Sequence, residues 1–295
     1  MKHFFKQILC ATVLVLAVAA GEAAAAEQWR EAEFEGLKVA YLEAGPKEAP
    51  ALVFIHGWAC DSSFWRLQTP AFAKDYRVIL VDLPGFGKSG KPHDRAYTMD
   101  FLARSVQAVI ADAEASHPVL IGHSMGYAVI RQYLLTFPGQ AWATVNVDGA
   151  FLRIPPTAEA RAGFEEFAAG MIAGFEGEGR AQAVAQFVES TFYGKTPEPL
   201  RAGIMAAMSS ADEYAANSAM REFVRLEQWT DVSFDLPSLA LYSSAGQLGA
   251  DHESYLRQTF PKLTYTLWDD SGHYLMLEQP ERFNAALADF FKTLQ

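Results

Sequence analysis

The sequence predicts an α/β fold with a mostly parallel central sheet and helices on both faces. Short β-rich runs alternate with helical stretches along most of the chain, which is the pattern of parallel-sheet proteins. Two of the runs, 51–55 and 77–83, are apolar almost throughout, as expected of strands buried on both faces. With 51% hydrophobic and 13% aromatic residues, the 295-residue chain can form a sizeable packed core.

The apolar pattern predicts each element in turn. The predicted strands are 37–44, 51–55, 77–83, 118–122, 144–147, 239–242 and 263–268. The predicted helices are 99–115, 127–137, 251–260 and 280–294. Between about 151 and 230 no strand is predicted, and helical stretches rich in Ala, Phe and Met are separated by Gly-rich and Pro-containing turns. This segment therefore reads as a helical insertion into the α/β core, which takes residues 27–150 and 231–295.

The first 26 residues have the layout of a secretory signal peptide. Lys2 and Lys6 give a positive start, residues 8–20 are apolar, and Ala24–Ala26 offer small residues for cleavage. The apolar run is shorter than the roughly 20 residues that span a bilayer, so we expect no stable membrane insertion after cleavage. We expect the protein to be exported, to a periplasm or outside the cell. Cys60 would then be its only cysteine, which excludes an intramolecular disulfide.

The charge balance argues against several classes of partner. A formal net charge of −11 without a basic run disfavours nucleic acids and anionic membrane surfaces. The chain contains no His-Glu-x-x-His segment and no Cys pair with metal-ligand spacing, so no metal site is predicted. A small molecule is the expected partner, and the sequence does not predict an oligomeric state.

The segment Gly122-His123-Ser124-Met125-Gly126 carries the strongest chemical signal. It has the form Gly-x-Ser-x-Gly between a predicted strand and a predicted helix. In that setting the chain turns sharply, the serine side chain stands above the sheet, and the helix N-terminus points N–H groups at a developing oxyanion. Ser124 is therefore the predicted nucleophile.

Three further motifs, together with this one, make the chain from about Leu37 onward resemble the α/β-hydrolase superfamily. They are His56-Gly57-Trp58 after the strand 51–55, Asp82–Ser89 after the next strand, and Asp270-Ser271-Gly272-His273 after the last strand. The resemblance implies a serine hydrolase that needs no cofactor, with His273 as general base. A neutral imidazole can accept the proton of the weakly nucleophilic serine and return it to the leaving group. The resemblance also implies an oxyanion hole formed by the backbone N–H groups of Trp58 and Met125.

The third member of a catalytic triad is where the sequence departs from the family pattern. The usual position, in the loop after the penultimate strand, falls on Ala245 or Gly246, and neither is an acid. Asp148 stands at the end of the strand after the nucleophile helix, where some branches of the family place the acid. Asp251 lies a few residues beyond the usual position, although it also suits a helix N-cap. The sequence leaves these two open, with a Ser–His dyad or another acid as further alternatives.

The other conspicuous polar residues have structural interpretations. His123 is expected to point away from Ser124, and His56 is expected to support its loop. Asp82 belongs to a structural turn. Cys60 is expected to be a small buried residue and not a second nucleophile.

The helical insertion, residues 151–230, takes the place of a lid or cap in this family. Its large apolar side chains include Met171, Phe187, Met208 and Met220, and some of them must face the site if the cap covers it. The sequence therefore favours hydrolysis of a small or medium carboxylic ester, or a related acyl bond, through an acyl-serine intermediate.

Several other functions remain open. They are a non-catalytic, receptor-like ligand-binding protein and an acyltransferase, aminopeptidase or carbon–carbon hydrolase on the same scaffold. Dehalogenase and epoxide hydrolase chemistry is disfavoured because those relatives use an aspartate at the position of Ser124.

Overall fold

A computed structural model describes residues 27–246 and 249–294, and the predicted signal peptide lies outside these residues. Eight strands form one sheet in the order β1-β2-β4-β3-β5-β6-β7-β8. Their bounds are β1 Gln28–Phe34, β2 Leu37–Ala44, β3 Ala51–Ile55, β4 Arg77–Val81, β5 Val119–His123, β6 Ala143–Val147, β7 Ser238–Ser243 and β8 Leu263–Trp268. β2 is antiparallel to both β1 and β4, and all other neighbours are parallel. The predicted mostly parallel α/β architecture is confirmed.

The helices lie between the strands and after the last one. Their bounds are α1 Thr69–Phe72, α2 Met99–Asp112, α3 Met125–Thr136, α4 Ala158–Gly174, α5 Arg180–Ser190, α6 Glu198–Ser209, α7 Glu213–Phe223, α8 His252–Thr259, α9 Leu275–Glu278 and α10 Pro280–Lys292. Within the described chain, no helix is both long enough and apolar enough to cross a membrane.

The central strands are buried along their whole length. Every residue of β3, β4, β5 and β6 is buried, because these strands lie inside the sheet with helices over both faces. Strand β1 is absent from the sequence-based prediction. It is a largely exposed edge strand that carries the charged residues Arg30, Glu31 and Glu33, and it is joined to β2 by a tight turn with positive φ at Glu35 and Gly36. Its hydrophobic pattern was therefore too weak to predict a strand.

Between β6 and β7 the chain forms the helices α4 to α7 and no strand, as the sequence predicts for 151–230. We call this segment the cap, and its exact division from the core stays an interpretation. Two core side chains hold it from below. Trp58 Nε1 donates a hydrogen bond of 2.7 Å to the carbonyl of Ala216, and Arg131 donates to the carbonyls of Gln228 and Thr230 at 2.9 and 2.6 Å.

Candidate active site

The turn between β5 and α3 holds Ser124 in a backbone conformation that few non-glycine residues adopt. Its φ is +52° and its ψ is −124°, at the first turn of α3. Glycines two positions to either side allow this close packing. A Cβ on Gly126 would lie 2.4 Å from the carbonyl oxygen of Ile55, and one on Gly122 would lie 2.8 Å from the backbone of Gly126. This is the strained strand–helix elbow that the Gly-x-Ser-x-Gly motif predicts.

Two backbone N–H groups near Ser124 are free to donate. Across the described residues, no hydrogen bond from the N–H of Trp58 or of Met125 is present. Met125 is the first residue of α3, so its N–H lies at the positive end of the helix dipole. The N–H of Ser124 itself donates to the carbonyl of Val147 at 3.1 Å. The predicted donors, the N–H groups of Trp58 and Met125, are thus free, whereas the N–H of Ser124 is already hydrogen-bonded.

His273 and Asp148 meet beside the elbow. Asp148 Oδ2 lies 2.6 Å from His273 Nδ1, and the Asp148 side chain is 9% exposed. Its other oxygen, Oδ1, accepts the N–H of Ser243 at 2.8 Å. A carboxylate in this position fixes the imidazole tautomer with the proton on Nδ1, which leaves Nε2 as a proton acceptor. Like Ser124, Asp148 has a positive φ, of +43°.

The other acidic candidate lies elsewhere. Asp251 forms an exposed ion pair with Arg153, and its side chain is 64% exposed. It directly precedes α8, but its side chain accepts no capping hydrogen bond from that helix. The structure therefore brings Asp148 to the imidazole and leaves Asp251 in solvent-exposed surroundings.

The loop that carries His273 is fixed by residues that sequence reasoning missed. Glu278 Oε2 accepts the N–H of Gly272 at 2.5 Å, and the Ser243 hydroxyl donates to the carbonyl of Ser271. From the cap side, the carbonyl of Thr191 accepts the N–H of His273 at 2.9 Å. Ser243 ends β7 next to the position where the family pattern expects the acid, and this is the only sequence signal that could have drawn attention to it.

His123 packs against the same loop. Its Nε2 lies 3.0 Å from the carbonyl oxygen of His273, which can only accept, so Nε2 carries the proton. Burial lowers the pKa of His123 well below its usual value, and the nearby His273 lowers it further. His123 is thus a neutral residue that supports the backbone of His273.

The remaining residues with structural interpretations are also buried and hydrogen-bonded. His56 Nε2 accepts the N–H of Leu83 at 3.0 Å, and burial lowers the pKa of His56. Asp82 accepts the N–H groups of Ser62 and Lys88, both at 2.8 Å. Burial raises the pKa of the Cys60 thiol well above its ordinary value, which keeps it protonated and weakly nucleophilic.

A cavity of about 220 Å³ opens above Ser124 and His273. Its walls come from the core beneath and the cap above, and they are almost entirely apolar. They are formed by Trp58, Cys60, His123, Ser124, Met125, Ala150, Leu152, Phe164, Phe167, Ala168, Met171, Phe187, Met208, Met220, Phe223, Val224, His273 and Tyr274. The lining contains no Asp, Glu, Lys or Arg side chain, so it carries no formal charge when His123 and His273 are neutral. Nor does the described chain contain a cluster of three or more His, Cys, Asp or Glu residues suited to a metal.

Comparison with known proteins agrees with this architecture. Residues 50–280 match the family model of the alpha/beta hydrolase fold. A pimeloyl-[acyl-carrier protein] methyl ester esterase of Aeromonas hydrophila is 38% identical over 100 residues, a match that covers 34% of this chain and only 38% of that protein. The AB hydrolase superfamily protein YisY of Bacillus subtilis is 26% identical over 252 residues, covering 81% of this chain and 90% of YisY.

Among solved structures, a thermophilic esterase from Thermogutta terrifontis superposes with a TM-score of 0.76 at 21% identity, covering 90% of this chain and 99% of that one. At that identity the likeness concerns the fold alone. Relatives include esterases, epoxide hydrolases and dehalogenases, so several hydrolytic reactions occur among them. Because the family model matches more than three quarters of the chain, the protein belongs to the alpha/beta hydrolase family.

Proposed function

We propose that this protein is a serine hydrolase that cleaves an uncharged carboxylic ester of small or medium size through an acyl-serine intermediate. The observation that carries the proposal is that Ser124 and His273 line one cavity while Asp148 contacts His273 from behind. Ser124 stands on a strained elbow, His273 lines the same cavity, and Asp148 contacts the far nitrogen of that imidazole at 2.6 Å. A serine at the elbow also separates this chain from relatives that use an aspartate there.

In the first half of the reaction, Ser124 Oγ attacks the ester carbonyl carbon while its proton moves to His273 Nε2. The carbonyl π electrons move onto oxygen, and the resulting oxyanion accepts hydrogen bonds from the N–H groups of Trp58 and Met125. Collapse of this intermediate breaks the bond to the alkoxy oxygen, which leaves as an alcohol with the proton from His273. The acyl group remains as an ester of Ser124.

In the second half, water takes the place of the alcohol. It loses a proton to His273 as it attacks the acyl carbon, and a second oxyanion forms at the same two donors. Collapse returns the proton to Ser124 Oγ and releases the carboxylic acid. Asp148 stays ionised throughout and stabilises the imidazolium that forms twice in each cycle.

The cavity supports the substrate class. Its apolar walls favour alkyl or aromatic groups on the ester, because burying such surface is favourable by about 25 cal/mol per Å². A charged group would lose its hydration there without a fixed partner of opposite charge, which costs several kcal/mol. We therefore propose neutral esters and not substrates with an anionic or cationic acyl group.

The test is turnover of p-nitrophenyl butanoate by the purified protein and by Ser124→Ala. We expect the variant to lose about 10³-fold or more in kcat, since it lacks the nucleophile. Ser254→Ala, a serine on the exposed side of α8, is the matched control and should keep full activity. Equal turnover by Ser124→Ala and the parent would refute the serine mechanism.

A fluorophosphonate probe separates an enzyme from a receptor-like protein with the same pocket. We expect the probe to bond covalently to Ser124 Oγ, and peptide mass mapping should find the adduct on that residue. A protein that binds the parent ester but resists the probe would be a receptor, contrary to the proposal.

A further inference from the structure

A surface groove lies on the outer side of the cap, between α4 and α5. It measures about 1000 Å³, and its lining includes Gly163, Phe167, Gly170 and Met171 of α4 and Phe187 of α5. Three of these side chains, Phe167, Met171 and Phe187, also line the catalytic cavity. The groove and the cavity therefore lie on opposite sides of one wall, and that wall is a single layer of side chains.

The wall is least packed at Phe167. Phe167 is 68% exposed although it also borders the catalytic cavity, and Met171 and Phe187 are only partly buried. Of the 17 residues of α4, only Ala168 is fully buried. A rotation of Phe167 about its side-chain bonds meets little packing resistance, and exposed rotamers change on the nanosecond scale.

The groove also offers room for an occupant. A Cβ on Gly163 or Gly170 would meet no atom within 4 Å, so nothing within residues 27–246 and 249–294 covers this face of α4. Near the far end the helices converge, since a Cβ on Gly174 would lie 3.7 Å from that of Ala183. The groove thus begins at the cavity wall and is closed at the convergence of α4 and α5.

We infer that this groove binds the distal part of a long, uncharged acyl chain whose ester group lies at Ser124. The inference rests on the proposed function and extends it to esters longer than the cavity can enclose. The chain would pass the wall at Phe167 and Met171 and lie along the glycine-bearing face of α4. Glu166, the charged residue that lines the groove, disfavours an anionic chain end. The acyl part is the occupant because it stays bonded to Ser124 through both halves of the reaction.

The experiment compares p-nitrophenyl decanoate with p-nitrophenyl butanoate for the parent protein and for Gly170→Leu, which fills the groove. Each methylene removed from water contributes roughly fourfold in affinity. We therefore expect the ratio of kcat/KM for decanoate over butanoate to fall about tenfold or more in Gly170→Leu. Gly203→Leu is the matched control, because a Cβ there also meets nothing within 4 Å but lies on α6, away from the groove. It should keep the parent ratio.

A second pair of substrates tests whether the groove binds the acyl part or the alcohol part of the ester. Decyl acetate and butyl acetate carry the long chain on the alcohol, and we expect Gly170→Leu to treat them as the parent does. If the loss instead appears with decyl acetate and not with p-nitrophenyl decanoate, the groove holds the alcohol and the inference is wrong.

Binding without turnover separates this inference from the proposed function. Decanamide should raise the melting temperature of the parent protein more than butanamide does, by preferential binding to the folded state. That difference should disappear in Gly170→Leu and persist in Gly203→Leu. If decanamide still raised the melting temperature of Gly170→Leu more than butanamide did, the groove would not be the binding site, even if the esters are hydrolysed. If no ester is hydrolysed but the difference behaves as expected, the groove stands and the proposed function fails.

Discussion

Helices α3 and α4 contact the same cavity but are held in opposite ways. α3 begins beside Ser124 and buries nine of its 12 residues, whereas α4 covers the cavity from above and buries one of its 17. The glycines show the same difference. A Cβ on Gly126 of α3 would collide with the backbone at 2.4 Å, and one on Gly163 of α4 would meet nothing within 4 Å. The groups that would perform chemistry are thus tightly packed, and those that would choose the substrate are not.

The largest expected effect comes from replacing Asp148, which lies beside the tightly packed elbow. Asp148→Asn keeps the size of the side chain but removes the charge that favours His273 as an imidazolium and allows the wrong tautomer. We expect kcat for p-nitrophenyl butanoate to fall by about 10³- to 10⁴-fold with little change in the fold, as measured by steady-state kinetics and circular dichroism.

Asp251→Asn is the control for that experiment. Its ion pair with Arg153 is exposed, and such pairs contribute about 0–1 kcal/mol to stability. Its kcat should stay within about twofold of the parent. A larger loss from Asp251→Asn than from Asp148→Asn would mean that the loop beyond β7 rearranges to supply the acid.

The next effect is on stability at the elbow. Gly126→Ala would place a methyl group 2.4 Å from the carbonyl oxygen of Ile55 and 2.6 Å from that of His56. Both are backbone atoms, at the end of β3 and the start of the loop that carries the proposed oxyanion donor, so neither can move aside cheaply. We expect the free energy of unfolding to fall by about 3 kcal/mol, measured by urea denaturation. A neutral result would show that the elbow is less tightly packed than these distances indicate.

Acid should destabilise the core through its buried histidines. Burial lowers the pKa of His56 and of His123 in the folded protein, while both return to about 6.5 on unfolding. Below that pH the unfolded chain binds more protons, so the free energy of unfolding falls as pH falls until the native pKa values are reached. Between about pH 7.5 and about pH 5.5 the free energy of unfolding should therefore fall, with a contribution from each of the two histidines.

Urea denaturation at the two pH values measures this loss. His56→Asn should reduce the dependence on pH, because one of the two buried titrating groups is gone. A pH dependence unaffected by His56→Asn would show that other groups cause it.

The sequence predicted the two regions unequally well, for a physical reason. β2, β3 and β8 match their predicted bounds, and Gly122–Gly126 forms the expected elbow, because strand burial and a sharp turn each demand particular residues at fixed spacing. Asp148 and Asp251 could not be separated, because the approach of a strand end to a loop 125 residues later depends on sheet order.

Residue types alone do not reveal the supports of the His273 loop. Glu278, Ser243 and Thr191 each hold this loop through its backbone, and a backbone N–H or carbonyl leaves no mark on residue type. In the cap, Phe175 packs on Trp58 with ring centroids 5.0 Å apart, whereas Met171 faces the cavity. Both are large apolar residues, one within α4 and one directly after it, so composition alone does not tell which one faces a substrate.

One of those supports gives a smaller but specific prediction. Ser243→Ala removes the hydroxyl that holds the carbonyl of Ser271, while its N–H still contacts Asp148. We expect kcat to fall about tenfold, the equivalent of one hydrogen bond of about 1.4 kcal/mol, with KM within about twofold. Ser244→Ala, at the exposed neighbouring position, should change neither constant. A rise in KM alone would mean that Ser243 contributes to the substrate site and not to the position of His273.

The smallest effect should have the opposite sign and belong to the cap. Gly163→Ala lies in α4, where φ is not positive and the added methyl meets no neighbour. Replacing glycine in a helix interior by alanine removes backbone freedom from the unfolded chain, so the cap should gain about 0.5–1 kcal/mol. Hydrogen exchange of the α4 amides measures this gain locally, because a lightly packed helix can open without global unfolding. Slower exchange confined to α4 would show that the cap opens independently, whereas an equal slowing in α3 would mean that cap and core unfold as one unit.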